Sequence, residues 1–189
     1  MRVITGRFKG RTLKTVQDLS VRPATDRVKQ TIFDMLATRM EFEGATVLDL
    51  FAGSGALGIE ALSRGAARAT FVETSSAAVD YIEKNLRMLG CENQSEIHET
   101  DAMTFVGRGH KCYDLVFADP PYEFSQLQEL PMSIFTSALV APNGYLLIEH
   151  PTTVHYEPTS QYQAGPEKKF GRTLVTFFQN PLRVKETTP

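Results

Sequence analysis

From residue 45 to residue 149, short β-prone apolar runs alternate with stretches of helical periodicity, and glycines punctuate the changes. That alternation constrains the fold more than any other feature, because strands joined through helices must lie mostly parallel and be covered on both faces. Ala45 to Leu50, Ala69 to Val72, Ser95 to His98, Leu115 to Ala118 and Gly144 to Glu149 read as strands. Ala56 to Arg64 and Ala77 to Leu89 read as helices stopped by Gly65 and Gly90, the second with Val79, Ile82, Leu86 and Leu89 on one face. A further amphipathic helix is expected over Leu127 to Leu139. Thr173 to Phe178 predicts a last strand, paired antiparallel with the segment near Thr152 to Tyr156. The expected fold is α/β, with a mostly parallel, Rossmann-like sheet and an antiparallel C-terminal hairpin.

Ahead of this body, Arg2–Thr5 and Arg11–Val16 flank a turn bracketed by Gly6 and Gly10 and predict a β-hairpin. Thr25 is the expected N-cap of a helix carrying Val28, Ile32, Met35 and Leu36, in a segment that Gly44 ends. The chain thus divides into an extension over residues 1–40 and a main domain over residues 41–189. The net charge of −2 conceals an asymmetry: residues 1–40 hold nine Lys or Arg against three Asp, and the remainder holds 11 basic against 19 acidic residues. A basic arm on an acidic body points to a polyanion, gripped through Arg2, Arg7, Lys9, Arg11 and Lys14, although a solvated charged face is the competing reading. Phe8, between Arg7 and Lys9, offers a ring for stacking on a base, with packing against the body favoured over it.

With 189 residues and 42% apolar content the chain can bury a sizeable core, which excludes a disordered or fibrous protein. Its apolar runs are far shorter than the roughly 20 residues of a membrane span, and no signal-peptide core follows Met1. A cytoplasmic protein with no membrane partner is expected. Cys91 and Cys112 lack the spacing of a disulfide framework or zinc site, and His98, His110, His150 and His155 lack metal-ligand spacing, so no metal is expected.

The segment Asp49-Leu50-Phe51-Ala52-Gly53-Ser54-Gly55-Ala56-Leu57-Gly58 contains GxGxxG, a weak sign of dinucleotide binding. Asp49, four residues before Gly53, argues against a diphosphate on the following helix and for a cationic ligand. S-adenosylmethionine (SAM) carries an ammonium and a sulfonium, and it needs glycines so that the backbone can approach it. Glu73, at the end of the next strand, is placed for ribose hydroxyls, and Asp101, after the third, for the adenine amine. Asp119-Pro120-Pro121-Tyr122 ends the strand Leu115 to Ala118. An exocyclic amine conjugated to a purine is a poor nucleophile. Two acceptors, the Asp119 carboxylate and the Pro120 carbonyl, would hold its two N–H bonds and aim the nitrogen lone pair at a methyl donor. Prolines keep that carbonyl direction rigid, and Tyr122 offers a stacking face for an extruded base.

These motifs, together with Arg2-Val3-Ile4-Thr5-Gly6, Lys9-Gly10-Arg11 and Arg22-Pro23-Ala24-Thr25-Asp26-Arg27-Val28, resemble the RsmD family of class I SAM-dependent methyltransferases. The resemblance covers residue 1 to about residue 150. It implies methylation of the N2 amine of a guanine in small-subunit (16S) ribosomal RNA, at a guanine-966 type site, with S-adenosylhomocysteine as product. It implies an Arg22–Val28 stretch closing over the methionine end of SAM and a hairpin that holds RNA. A monomer is expected, acting on an assembled or assembling 30S particle because a 189-residue chain with a short basic arm has little surface for sequence readout. The implied cofactor set is Arg22, Thr25, Asp49, Phe51, Ala52, Gly53, Gly55, Glu73, Asp101 and Ala102. The implied catalytic set is Asp119, Pro120, Pro121 and Tyr122. Arg172 departs from the family, which usually has an acidic or small polar residue there. Adenine-N6 methylation of DNA uses the same Asp-Pro-Pro-Tyr logic and stays open as an alternative, as does a non-catalytic SAM-binding assembly factor. A nicotinamide oxidoreductase is disfavoured by Asp49.

Overall fold

The computed structural model describes residues 1–15, 26–109, 111–157 and 159–181. The elements are α1 (Asp26–Ala37), β1 (Thr46–Leu50), α2 (Ala56–Ser63), β2 (Arg68–Glu73), α3 (Ser76–Leu89), β3 (Ser95–Glu99), α4 (Ala102–Arg108), β4 (Tyr113–Ala118), α5 (Leu130–Thr136), β5 (Val140–Pro151), β6 (Gln163–Phe170) and β7 (Thr173–Gln179). They build one seven-stranded sheet in the order β3-β2-β1-β4-β5-β7-β6. β1 to β5 are parallel, and β7 runs antiparallel to both β5 and β6.

The local signals account for most of these elements. α3 begins where the Ser75 hydroxyl accepts from the Ala78 amide and ends where Gly90 adopts φ 67°, a conformation open to glycine. Its stripe of Ala78, Val79, Ile82 and Leu86 is buried. Both faces of the sheet are covered, as near-continuous apolar strands require. α1, α2 and α3 supply Ile32, Phe33, Leu36, Ile59, Leu62, Ile82 and Leu86 to a core with Val47, Phe71 and Phe117. α4 and α5 supply Phe105, Val106, Leu130 and Ile134 to a second core with Leu48, Val116 and Ile148.

Several expectations need correction. Thr173 to Phe178 forms a strand, but its antiparallel partners are β5, in register as Glu149↔Val175, and β6, as Lys169↔Leu174; residues 152–156 form the turn beyond β5. The helix expected over Leu127 to Leu139 is confined to α5, with Pro131 in its first turn. α1 ends at Ala37, well before Gly44. The N-terminal hairpin is reduced to a single bridge, Arg2↔Thr12, around which Val3 N–H donates to Arg11 O at 2.9 Å and Gly10 N–H to Val3 O at 2.9 Å. Val16 and the expected N-cap Thr25 lie outside the described residues.

Candidate active site

Leaving β1, the chain crosses a left-handed turn in which Phe51 (φ 60°), Gly53 (φ 56°) and Gly55 (φ 77°) all have positive φ. Such a conformation costs a residue like phenylalanine on the order of 1–3 kcal/mol. The Phe51 ring meets Phe124 edge-on, with centroids 5.1 Å apart, which ties this turn to the loop after β4. The space above Gly53 is open: a Cβ there would meet no atom within 4 Å. Gly58 serves packing instead, since a Cβ would come within 2.4 Å of Phe71 Cε1 and push α2 off β2.

Carboxylates occupy the amides that a phosphate would need. Asp49 Oδ2 accepts from Gly58 N–H at 2.9 Å, and Glu73 Oε2 accepts from Gly53 N–H at 2.8 Å. The other Glu73 oxygen accepts from the amides of Thr74 and Ser75, each at 2.9 Å. The turn is therefore closed to a diphosphate and suited to a cation. Asp101 Oδ1 caps α4 by accepting from Thr104 N–H at 2.8 Å, and Ala102 is the buried first residue of that helix.

Sheet register gathers a second set of acids. Asp49 pairs with Phe117, and Phe117 with Leu147. Side chains alternate along strands, so Asp119 and Glu149, each two residues further on, point to the same face as Asp49. That face is the one covered by α1–α3. Burial pushes the Asp119 carboxyl well above its usual range, and the nearby Glu149 and Asp49 push it further. Burial also raises Glu149. Asp49 is raised to about 7 by burial, against the pull of the Gly58 amide and with a further push from Glu73. Three acids that resist ionising together favour a cation among them.

A pH dependence follows for the protein without ligand. A carboxyl whose folded pKa is raised holds its proton in the folded state and releases it on unfolding, so stability is greatest below the usual carboxylate range and falls as pH rises toward the raised value. Thermal unfolding is expected to show a falling midpoint between about pH 4 and about pH 7, shallower in Asp49→Asn. A profile identical in wild type and variant would contradict the Asp49 assignment.

Tyr122 is 63% exposed, and its hydroxyl lies 3.2 Å from Thr173 Oγ1 at the start of β7. Pro120 is half-buried, and Pro121 O accepts from Phe124 N–H at 2.9 Å, which fixes the loop. Thus Asp49, Phe51, Ala52, Gly53, Gly55, Glu73, Asp101, Ala102 and Asp119–Tyr122 all gather at the C-terminal edge of the strands, around the β1/β4 switch point where open α/β sheets bind ligands. Arg22 and Thr25 lie outside the described residues. A surface cavity of about 330 Å³, lined by Glu41, Gly44, Asp114 and Tyr145, opens at the opposite edge and takes no part in this cluster. Among the described residues no group of three or more His, Cys, Asp or Glu is placed to hold a metal ion, and no helix is long and apolar enough to cross a membrane.

The basic N-terminal segment docks on α2 and α3. Arg7 N–H donates to Ser63 O at 2.8 Å, and Lys14 N–H to Asn85 Oδ1 at 2.8 Å. Several of its cations are tied within the chain: Arg2 to Asp26 at 2.9 Å, Arg7 to Gln94 and over the Phe8 ring at 4.3 Å, and Arg11 to Met88 O at 3.3 Å. Phe8 is half-buried, with its ring packed against the core. Lys29, one of the nine basic residues of the extension, is fully buried and pairs with Glu60 at 3.2 Å. Neither Glu60 nor Glu149 belongs to any of the motifs read from the sequence.

A family model described as Conserved hypothetical protein 95 matches residues 1–179. The ribosomal RNA small subunit methyltransferase D of Escherichia coli (strain K12) is 40% identical over 149 residues, 79% of this chain and 71% of that protein. The protein of the same name from Haemophilus influenzae is 34% identical over 183 residues, 95% of this chain and 94% of its own length. A solved structure of the Escherichia coli protein yhhF superposes with a TM-score of 0.84 at 32% identity, covering 96% of this chain and 98% of that one. With nearly its whole described length matched, the chain belongs to the conserved hypothetical protein 95 family, the family of the small subunit methyltransferase D proteins.

Proposed function

We propose that this protein is a SAM-dependent methyltransferase that modifies the exocyclic N2 amine of a guanine in 16S ribosomal RNA. The observation that carries the reading is the facing of Asp49, Asp119 and Glu149 across one sheet face, beside a turn whose amides are already held by carboxylates. Such a site fits a sulfonium cosubstrate and an amine acceptor, and the relatives named for ribosomal RNA methylation support the choice of acceptor class. The guanine N2 position, a 30S particle as the form acted on, a monomeric state and a cytoplasmic location belong to the same proposal.

SAM supplies an electrophilic methyl on a positively charged sulfur. The open turn over Gly53 lets the backbone approach it, and Asp49 and Glu73 set the negative field and the ribose contacts. Asp119 and the Pro120 carbonyl accept from the two N–H bonds of the acceptor amine and turn its lone pair toward the methyl carbon. SAM bound there would supply the methyl and leave as S-adenosylhomocysteine, and positive charge would develop on the acceptor nitrogen beside Asp119. Asp119 stabilises that charge and takes the surplus proton. Exposed Tyr122 supplies the face on which an unstacked base rests.

The product tests the reading. Incubation with methyl-labelled SAM and small ribosomal subunits lacking the modification, protein-free ribosomal RNA or duplex DNA, followed by digestion to nucleosides, is expected to place label in N2-methylguanosine. The particle should be the better substrate, because a scaffold presenting an unstacked guanine removes an unstacking cost of a few kcal/mol. Label in N6-methyladenine from DNA would replace this reading with the DNA enzyme. Tight SAM binding without label in any substrate would replace it with a non-catalytic factor.

A further inference from the structure

The basic N-terminal segment holds fewer available cations than the sequence implies, since Arg2, Arg7, Arg11 and Lys29 have partners within the chain. A different cluster lies open at the other end of the sheet. Lys168 and Lys169 sit near the end of β6, the edge strand, and Arg172 sits in the tight turn to β7. All three are exposed, and none makes an ion pair or side-chain hydrogen bond with a described residue. Residues 168–172 contain no acid, and the adjacent Glu167 accepts from the Thr176 hydroxyl at 3.2 Å instead of pairing with a lysine.

The register places Lys168 and the Arg172 turn beside the candidate active site, with Lys169, the next residue of the edge strand, near the same rim but on the opposite face. Lys168 pairs with Val175, and Val175 with Glu149, so Lys168 shares the row and face of the Glu149 and Asp119 carboxyls. Two interstrand steps separate it from Glu149, roughly 10 Å. Thr173 pairs with Pro151, which puts the Arg172 turn just past the C-terminal end of β5. Arg172 O accepts from Thr152 N–H at 3.3 Å, and the next residue, Thr173, contacts Tyr122. The hairpin tip is thereby joined to the loop that receives the acceptor base, on the β6 side of the cleft. The N-terminal segment, by contrast, holds its Arg7 and Arg11 at Ser63, Gln94 and Met88, at or just past the ends of α2 and α3 that point away from the cleft.

We propose that Lys168, Lys169 and Arg172 grip the RNA backbone phosphates flanking the methylated nucleotide, on the β6 side of the cleft. The proposal rests on the reading of this protein as an RNA methyltransferase. When a base is drawn into a site its phosphates remain outside at the rim, and phosphate contacts fix register without reading sequence. Arginine suits the tip because its planar fork can bind a phosphate through two N–H bonds, whereas the two lysines act as point charges.

Binding of the full-length protein to protein-free 16S ribosomal RNA and to small subunits lacking the modification is measured across a salt series. The Lys168→Ala/Lys169→Ala/Arg172→Ala variant is expected to lose on the order of tenfold in affinity at low salt. Its log-log salt slope should be shallower by about 0.7 for each single-strand phosphate that is no longer neutralised, up to about 2 in all. Arg172→Lys alone should keep the wild-type slope, and unchanged SAM binding by calorimetry should report an intact fold. A triple variant with wild-type affinity and slope overturns the proposal while leaving the RNA reading standing. A loss confined to the particle with an unchanged slope overturns it in favour of a ribosomal protein contact. Wild-type protein that binds neither RNA nor particle overturns the RNA reading and this proposal together.

Discussion

Replacing Asp119 by alanine is expected to slow single-turnover methyl transfer by about 10²–10³-fold, the usual cost of removing one preorganised group that meets charge developing in the transition state. The proposed role is confined to the acceptor amine, so SAM affinity should hold, and the rate loss should persist at saturating RNA. Asp119→Asn keeps one acceptor oxygen but cannot take the surplus proton, and it should fall between alanine and wild type. Burial and the neighbouring Glu149 and Asp49 carboxyls raise Asp119 well above the usual carboxylate range. The wild-type rate should therefore rise with pH as Asp119 ionises, with Asp119→Asn flat across the same interval. An alanine variant with unchanged single-turnover kinetics would remove Asp119 from the mechanism.

The site is legible in the sequence where chemistry and chain direction coincide. Asp49, Glu73 and Asp101 stand at or just past the ends of successive β-prone runs, and Asp-Pro-Pro-Tyr ends the fourth, so strand alternation alone carries them to one sheet edge. Glu149 obeys the same rule but reads in the sequence only as the last residue of its strand, since no motif marks it. Its importance comes from register with β4, which is non-local. β6 is hidden because Gly165 and Pro166 argue against a strand. An edge position beside a register shift between Ala164 and Glu167 tolerates them. α4 is hidden because seven residues with Gly107 near their end give too little periodicity to detect.

The internal basic residue has a signal that charge counting hides. Lys29, Phe33 and Leu36 are spaced i, i+4, i+7 on α1, so a lysine lies on the apolar stripe. Glu60 likewise lies within α2, a helix whose residues are almost all buried. Each is an anomaly on its own helix, and 30 residues of intervening chain conceal that they answer one another.

Removing that answer should produce the largest change in stability. Glu60 Oε2 accepts from Ile4 N–H at 2.8 Å and pairs with Lys29 Nζ at 3.2 Å; its Oε1 accepts from Thr5 N–H and from Arg64 Nε, both at 3.0 Å. Lys29 also donates to Arg2 O at 2.7 Å, so one fully buried carboxylate binds α1, α2 and the N-terminal segment together. Burial lowers the Lys29 pKa despite the attraction of Glu60, which marks how dependent the ammonium is on this partner. Glu60→Ala is expected to cost about 3–5 kcal/mol, because it leaves a buried cation and two amides unpaired. Lys29→Met/Glu60→Leu should recover only part of that loss: it removes the stranded ammonium, but the Ile4 and Thr5 amides and Arg64 still lack their acceptor. Denaturant unfolding measures both losses, and limited proteolysis within residues 2–11 should show the arm released in Glu60→Ala. A loss below about 1 kcal/mol, in the range of an exposed ion pair, would mean that the arm docks without this carboxylate.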